Sequence, residues 1–145
     1  MEDSKYGKYI VTELKTPQRF TPEFNASYAK WASRTLWMDD DVVNGAFQMN
    51  CSWYLRLPSE SMKESQSHVH DSDEIIGFFG NNPEAPHDLG AEIEVWLEDE
   101  KHIITKSALI FVPGGMKHCP LILRRIDRPV FHFSTLTESH YVKRT

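Results

Sequence analysis

The sequence predicts an all-β fold, an antiparallel sandwich or barrel, and three observations predict it. A helical period of 3.6 is nearly absent along the chain. Short segments rich in β-branched and aromatic residues recur at regular spacing, divided by Gly and Pro. From Ala46 the alternation is strict, with Phe47, Met49, Cys51, Trp53 and Leu55 interleaving Gln48, Asn50, Ser52, Tyr54 and Arg56.

Taken in order, Tyr6 to Leu14 is a first candidate strand, ended by Thr16-Pro17. Pro22 to Ala32 suits a short helix or an irregular arm, and Ser33 to Trp37 a strand leading into a turn at Asp39–Gly45. The alternating segment after Ala46 has one apolar face and one polar face that carries no charge before Arg56. Such a polar face can meet solvent, a second subunit or a pocket, and alternation alone does not choose among them. Further strands are expected at Ser67–Asp71, Glu74–Phe79, Ala91–Leu97, His102–Thr105, Leu109–Val112, His118–Arg124 and Val130–Thr135. Asn81–Gly90, with two Pro and two Asn, reads as a loop, mobile or at the rim of a nearby site.

Composition narrows the functional classes. With 145 residues, 40% of them hydrophobic and 26% charged, the chain has the size and make-up of one globular domain. Its net charge of −5 and the absence of any basic cluster beyond Arg124-Arg125 argue against nucleic acid as a partner. No apolar run is long enough to span a bilayer, and Met1-Glu2-Asp3-Ser4-Lys5 does not begin a secretory signal, so the expected location is cytoplasmic. Cys51 and Cys119 both fall in apolar strand segments, where buried free thiols are the expectation. The acidic runs Asp39-Asp40-Asp41 and Glu98-Asp99-Glu100 read as solvated turns.

The chemistry concentrates in two short motifs. His68 and His70 are two residues apart, so on a strand both imidazoles share a face at chelating separation. A tight turn at Asp71-Ser72-Asp73 would bring the Glu74 carboxylate to the same point. Pro113-Gly114-Gly115-Met116-Lys117 makes a sharp turn that can deliver His118 there as well. Three imidazoles and a carboxylate suit a first-row divalent ion. By residue frequencies, a shuffled chain would contain HxHxxxE about 0.03 times and PxGxxH about 0.02 times, so the pair is not a chance feature.

These motifs resemble a known family. His68-x-His70-x-x-x-Glu74 followed by Gly80 resembles the first motif of the cupins, and Pro113-x-Gly115-x-x-His118 the second. The family's glycines are replaced by Met62 and Ser107, and the Asn that often closes the second motif by Ile122. The resemblance covers roughly Ala46 to Thr135. It implies an antiparallel jelly-roll β-barrel with one divalent ion (iron, manganese, nickel, zinc or copper) held inside by His68, His70, Glu74 and His118. On this reading residues 1–145 form a single cupin domain, with an N-terminal arm and first strands at 1–45, the barrel at 46–135 and a tail at 136–145. Cupins often exchange N-terminal strands, which implies a homodimer through the arm; Tyr6, Tyr9, Phe20, Phe24, Tyr28 and Trp31 would then need cover.

Four protein ligands leave two positions on an octahedral ion, room for a small organic molecule to bind. The resulting expectation is a small-molecule metalloenzyme of oxygenase, decarboxylase, isomerase or lyase type. The alternative is a non-catalytic, metal-dependent binding or sensing module. Glu74 and His132 are the candidate acid–base groups, although His132 also fits a hydrogen-bonded structural histidine. Tyr54, Arg56, Gln48 and Asn50 are candidate substrate contacts if their face turns inward, and Phe78, Ile76 and Ile122 share the ligands' strand parity and would line the pocket. His87, His102 and His140 read as surface residues.

Overall fold

The computed structural model describes residues 4–59 and 67–138. One helix, α1 (Pro22–Ala29), precedes eight strands: β1 (Ala32–Met38), β2 (Gln48–Tyr54), β3 (Glu74–Phe79), β4 (Asp88–Leu97), β5 (Glu100–Lys106), β6 (Ala108–Val112), β7 (His118–Ile126) and β8 (Val130–Leu136). They form a five-stranded sheet in the order β1-β2-β8-β3-β6 and a three-stranded sheet in the order β5-β4-β7. Every pairing is antiparallel. The result is a jelly roll, flattened so that its two sheets are hydrogen-bonded separately. Between them lies an apolar core that includes Ile76, Phe78, Leu89, Ile93, Val95, Val112, Leu121 and Val130. Among the described residues, no helix is long and apolar enough to cross a membrane.

Several expectations from the sequence are corrected. The segment Tyr6–Leu14 is not a strand; it holds one 3-10 turn at Gly7–Tyr9. Tyr6, Tyr9, Ile10 and Leu14 stay exposed, so nothing buries either face of a strand there. Ser67–Asp71 contributes an isolated bridge, His68 to His118, in place of a strand. The loop expected at Asn81–Gly90 ends early, because β4 begins at Asp88. Hydrogen bonds hold that loop: Ser107 Oγ donates to Pro86 O at 2.8 Å and accepts from Gly80 N at 3.1 Å. It does not line the cavity described below. Strand β8 runs through Leu136, the first residue assigned to the tail. His140 and Met62 lie outside the described residues.

Helix α1 begins where its local chemistry demands. Thr21 caps it, with Oγ1 accepting from Phe24 N at 3.1 Å, and Pro22 occupies the first turn, where its missing N–H costs nothing. The arm then packs on this chain's own barrel. Phe20 meets Trp37 edge-on at 5.7 Å, Tyr28 meets Trp31 at 4.9 Å, and Trp31 meets Tyr54 at 5.3 Å. The Tyr28 hydroxyl donates to Ser52 Oγ at 2.7 Å, fastening the helix to β2.

The orientation of β2 decides where a site can form. Gln48, Asn50, Ser52 and Tyr54 are the buried residues, so the polar face turns inward. The apolar face turns outward and joins aromatics of neighbouring strands: Trp53 packs on Phe131 at 5.2 Å, and Phe79 stacks on Phe133 at 6.1 Å. Phe47, Leu109 and Phe111 leave this outer face exposed. Inward, polar residues are tolerated because they are hydrogen-bonded or face a cavity.

Candidate metal centre and its cavity

His68 and His118 exchange both backbone hydrogen bonds at 3.0 Å, as a hydrogen-bonded antiparallel pair, which sets the two residues directly opposite each other. Their rings stand 4.3 Å apart. His70 joins them by the two-residue period, with its ring 5.0 Å from that of His68. The turn carrying His118 is clipped to the turn after His70. Gly115 N donates to His70 O at 2.8 Å, and Gly114 N donates to Asp73 Oδ1 at 2.9 Å. One ligand nitrogen from each of His68, His70 and His118 can be chosen so that all three lie within 4.8 Å of one another, and all three residues are buried. This triad could hold a metal ion.

Glu74 opens β3 beside the triad. Its Oε1 lies 2.9 Å from His118 Nε2 and 3.6 Å from His70 Nε2, yet it accepts no hydrogen bond among the described residues. Contact without hydrogen-bond alignment is what lone pairs converging on one point produce. A buried carboxylate oxygen left so is costly unless a cation takes that point. His118 Nδ1 lies 3.3 Å from the Met116 carbonyl, an arrangement that leaves Nε2 as the ligating atom. The donor set therefore fits a divalent ion.

The centre opens into a cavity of about 740 Å³ between α1 and the inner face of the five-stranded sheet. That volume falls within the range of small-molecule sites. Gln48, Asn50, Tyr54, His132 and Ile76 line it, as do His68, Glu74 and His118. Gln48 is also a structural anchor, since its Oε1 accepts from Leu136 N at 3.0 Å. His132 is sandwiched between Tyr54 at 4.9 Å and Phe78 at 5.2 Å, both stacked. Its Nδ1 is 3.1 Å from Gly77 O. Burial is the main cause that pulls its pKa down to about 4, against opposing effects of the Gly77 carbonyl and Glu74. The ring is neutral at neutral pH, with Nδ1 donating to Gly77 O and Nε2 bare.

Three sequence candidates sit elsewhere. Arg56 is exposed and outside the cavity, donating to Lys30 O at 2.7 Å, because the chain leaves β2 before reaching it. Phe78 is wholly buried and backs the cavity through its stack on His132, without lining it. Ile122 is also outside the lining; Leu121 takes that side of β7. An extra residue in β7 between His118 and Leu121, opposite Val95–Leu97 of β4 and with Cys119 held at φ 71°, breaks the alternation that Ile122 would have inherited from His118. Cys51 and Cys119 are free thiols, and His87 and His102 are exposed.

The cavity also contains residues that sequence reasoning missed: Arg19, Phe20, Tyr28, Arg34 and Trp37. A bulge between Arg34 and Leu36 lets Ala32, Arg34 and Trp37 all turn inward from β1. The available signal was Arg34 as the one charge within Ser33–Trp37; the bulge itself left no mark in the residue pattern.

Known structures with the same fold agree with this architecture. An oxalate oxidase solved in complex with glycolate superposes with a TM-score of 0.55 at 12% identity, covering 98% of this chain. Peruvianin-I, a cysteine peptidase from Thevetia peruviana latex, superposes with a TM-score of 0.56 at 10% identity, covering 99% of this chain and 80% of its own. A cupin protein from Bacteroides fragilis aligns over 71% of this chain and 75% of its own, with 13% identity and a TM-score of 0.44. The chain spans 65% of the length of the oxalate oxidase. No protein-family model and no curated protein matches the sequence. Motifs and architecture together define a cupin-type jelly roll carrying a buried histidine triad. Its neighbours carry names of unrelated activities, so function has to be argued from the site.

Proposed function

We propose that this chain is a metal-dependent enzyme acting on a small organic molecule, with the ion held by His68, His70, Glu74 and His118. The observation that carries the reading is Glu74 Oε1, buried within 2.9 Å of one imidazole nitrogen and 3.6 Å of another and accepting no hydrogen bond. When bound, a divalent ion would act as a Lewis acid, polarising an oxygen of the bound molecule.

The chain's own groups supply the rest. His132 faces the same cavity, neutral and with a fixed tautomer, so its Nε2 can accept a proton from a bound molecule. Stacking between Tyr54 and Phe78 holds the ring in one orientation. Helix α1, through Phe24 and Tyr28, and Trp31 form an aromatic wall of the cavity. A titratable group beside a sizeable cavity favours an enzyme over a sensing module, which needs no proton acceptor. Oxygenase, decarboxylase, isomerase and lyase chemistry all remain compatible with these parts.

Elemental analysis of protein purified without added metal tests the reading. The expected result is one transition-metal ion per chain, lost in His70→Ala. Full metal content in that variant, or no metal bound by the wild type even after loading, overturns it. Turnover is then sought with a panel of diketones, hydroxy acids and sugars. Tight binding of one compound without turnover would favour the sensing module.

A further inference from the structure

Arg34 is the only charged residue of β1, and it lines the cavity that the centre opens into. Its Nη1 donates to Asn50 Oδ1, and its guanidinium carbon lies 4.8 Å from the Phe20 ring centroid and 4.6 Å from that of Tyr28. No carboxylate pairs with it among the described residues. Glu74, the one acidic residue lining the cavity among the described residues, sits against the imidazoles. Burial lowers the Arg34 pKa, but a guanidinium stays charged through any accessible pH. A cation held among aromatic faces, with most of its N–H donors unassigned, lacks the anion its geometry is built to grip.

Trp37 supplies an independent observation. It lines the same cavity and is 3% exposed, yet its Nε1–H has no hydrogen-bond partner among the described residues. A buried indole donor normally finds an acceptor. Guanidinium and indole thus present two kinds of donor and no acceptor of their own.

We infer that Arg34 and Trp37 receive the carboxylate of an organic acid, with its apolar body lying against the aromatic rings of the same cavity. This deepens the proposed function by naming a substrate class, and it rests on that reading for the chemistry but not for the binding. A carboxylate matches the planar guanidinium fork and can accept the indole N–H as well. Asn50 holds Arg34 in place from β2, so the fork is oriented before the acid arrives.

Matched acid and amide pairs test the inference: 3-phenylpropionate against 3-phenylpropionamide, and 4-phenylbutyrate against its amide. Binding is followed by calorimetry in protein with and without metal, and metal content is measured in parallel. The acid is expected to bind about ten-fold or more tightly than its amide. Arg34→Gln should bring the two within about two-fold while leaving metal content at the wild-type level. Equal binding of acid and amide to the wild type, no binding of either acid at millimolar concentration, or a preference that survives Arg34→Gln overturns the inference. If Arg34→Gln does not fold, Trp37→Phe decides together with the wild-type comparison: acid affinity should fall several-fold, and an unchanged affinity overturns it. A wild type that binds no metal but keeps the acid preference would sink the proposed function and leave this inference standing.

Discussion

The imidazole of His132 lies stacked on the ring of Tyr54, with centroids 4.9 Å apart and planes inclined by 15°. Phe78 closes its other face at 5.2 Å. Protonating the ring would place a cation in this buried slot, and that loss of solvation, with a smaller push from Arg34, is why its pKa falls from 6.5 to about 4. As pH drops below 6.5 the unfolded chain takes up this proton first. Stability from the neutral ring is therefore complete above about pH 6.5 and is lost as pH falls to about 4, a change of about 3 kcal/mol. Imidazole titration by NMR checks the cause directly. A His132 midpoint near 6.5 would falsify the assignment of a neutral, buried ring.

Glu74 should behave oppositely with and without metal. In chelator, Glu74→Gln replaces a buried carboxylate whose Oε1 accepts no hydrogen bond by a neutral amide, so stability should hold or rise. With a divalent ion at a hundred times its dissociation constant, the wild type should gain about 3 kcal/mol, and the variant far less. Denaturant unfolding with manganese and with chelator measures both. Equal stabilisation of the two proteins by the ion would remove Glu74 from the ligand set.

The two glycines before His118 should differ in what they tolerate. A Cβ at Gly114 would meet Asp71 O at 2.3 Å, a backbone atom between His70 and Glu74. A Cβ at Gly115 meets nothing within 4 Å, but the residue sits at φ +88°. Gly114→Ala should cost about 2 kcal/mol or more and weaken metal binding, because either the turn or residues 70–74 must move. Gly115→Ala should cost about 1 kcal/mol, from the left-handed backbone alone. Comparing unfolding midpoints and metal affinity of the two variants tests this; equal effects on metal affinity contradict it.

Tyr28→Phe removes the hydroxyl that donates to the buried Ser52 Oγ and ties α1 to β2. The expected loss is about 1 kcal/mol, with faster amide exchange in α1 than in β2. Hydrogen exchange unchanged in the helix would mean that its aromatic contacts alone hold it over the cavity.

Strand periodicity and motif spacing were legible wherever one local rule governed the outcome. Two histidines two residues apart share a strand face in any fold, and Pro and Gly before His118 dictate a turn; both followed from residue chemistry alone. The antiparallel β class was readable for the same reason, since alternation and turn residues act over a few positions. The strand expected at Tyr6–Leu14 failed because local propensity cannot supply a partner to pair with or a surface to bury against.

What the amino-acid sequence determined by itself, then, is the order of strands around two motifs and the donor types His68, His70, Glu74 and His118 that those motifs carry. Only the tertiary structure decided which way β2 faces, and it turned Gln48, Asn50 and Tyr54 toward the cavity and Trp53 and Phe47 away from it. It likewise excluded Ile122, through a bulge in β7, and admitted Arg34 and Trp37, through a bulge in β1. A bulge shifts parity by one residue and so exchanges the two faces of everything beyond it. That shift is set by pairing with distant strands, so residue order along one segment could not show it.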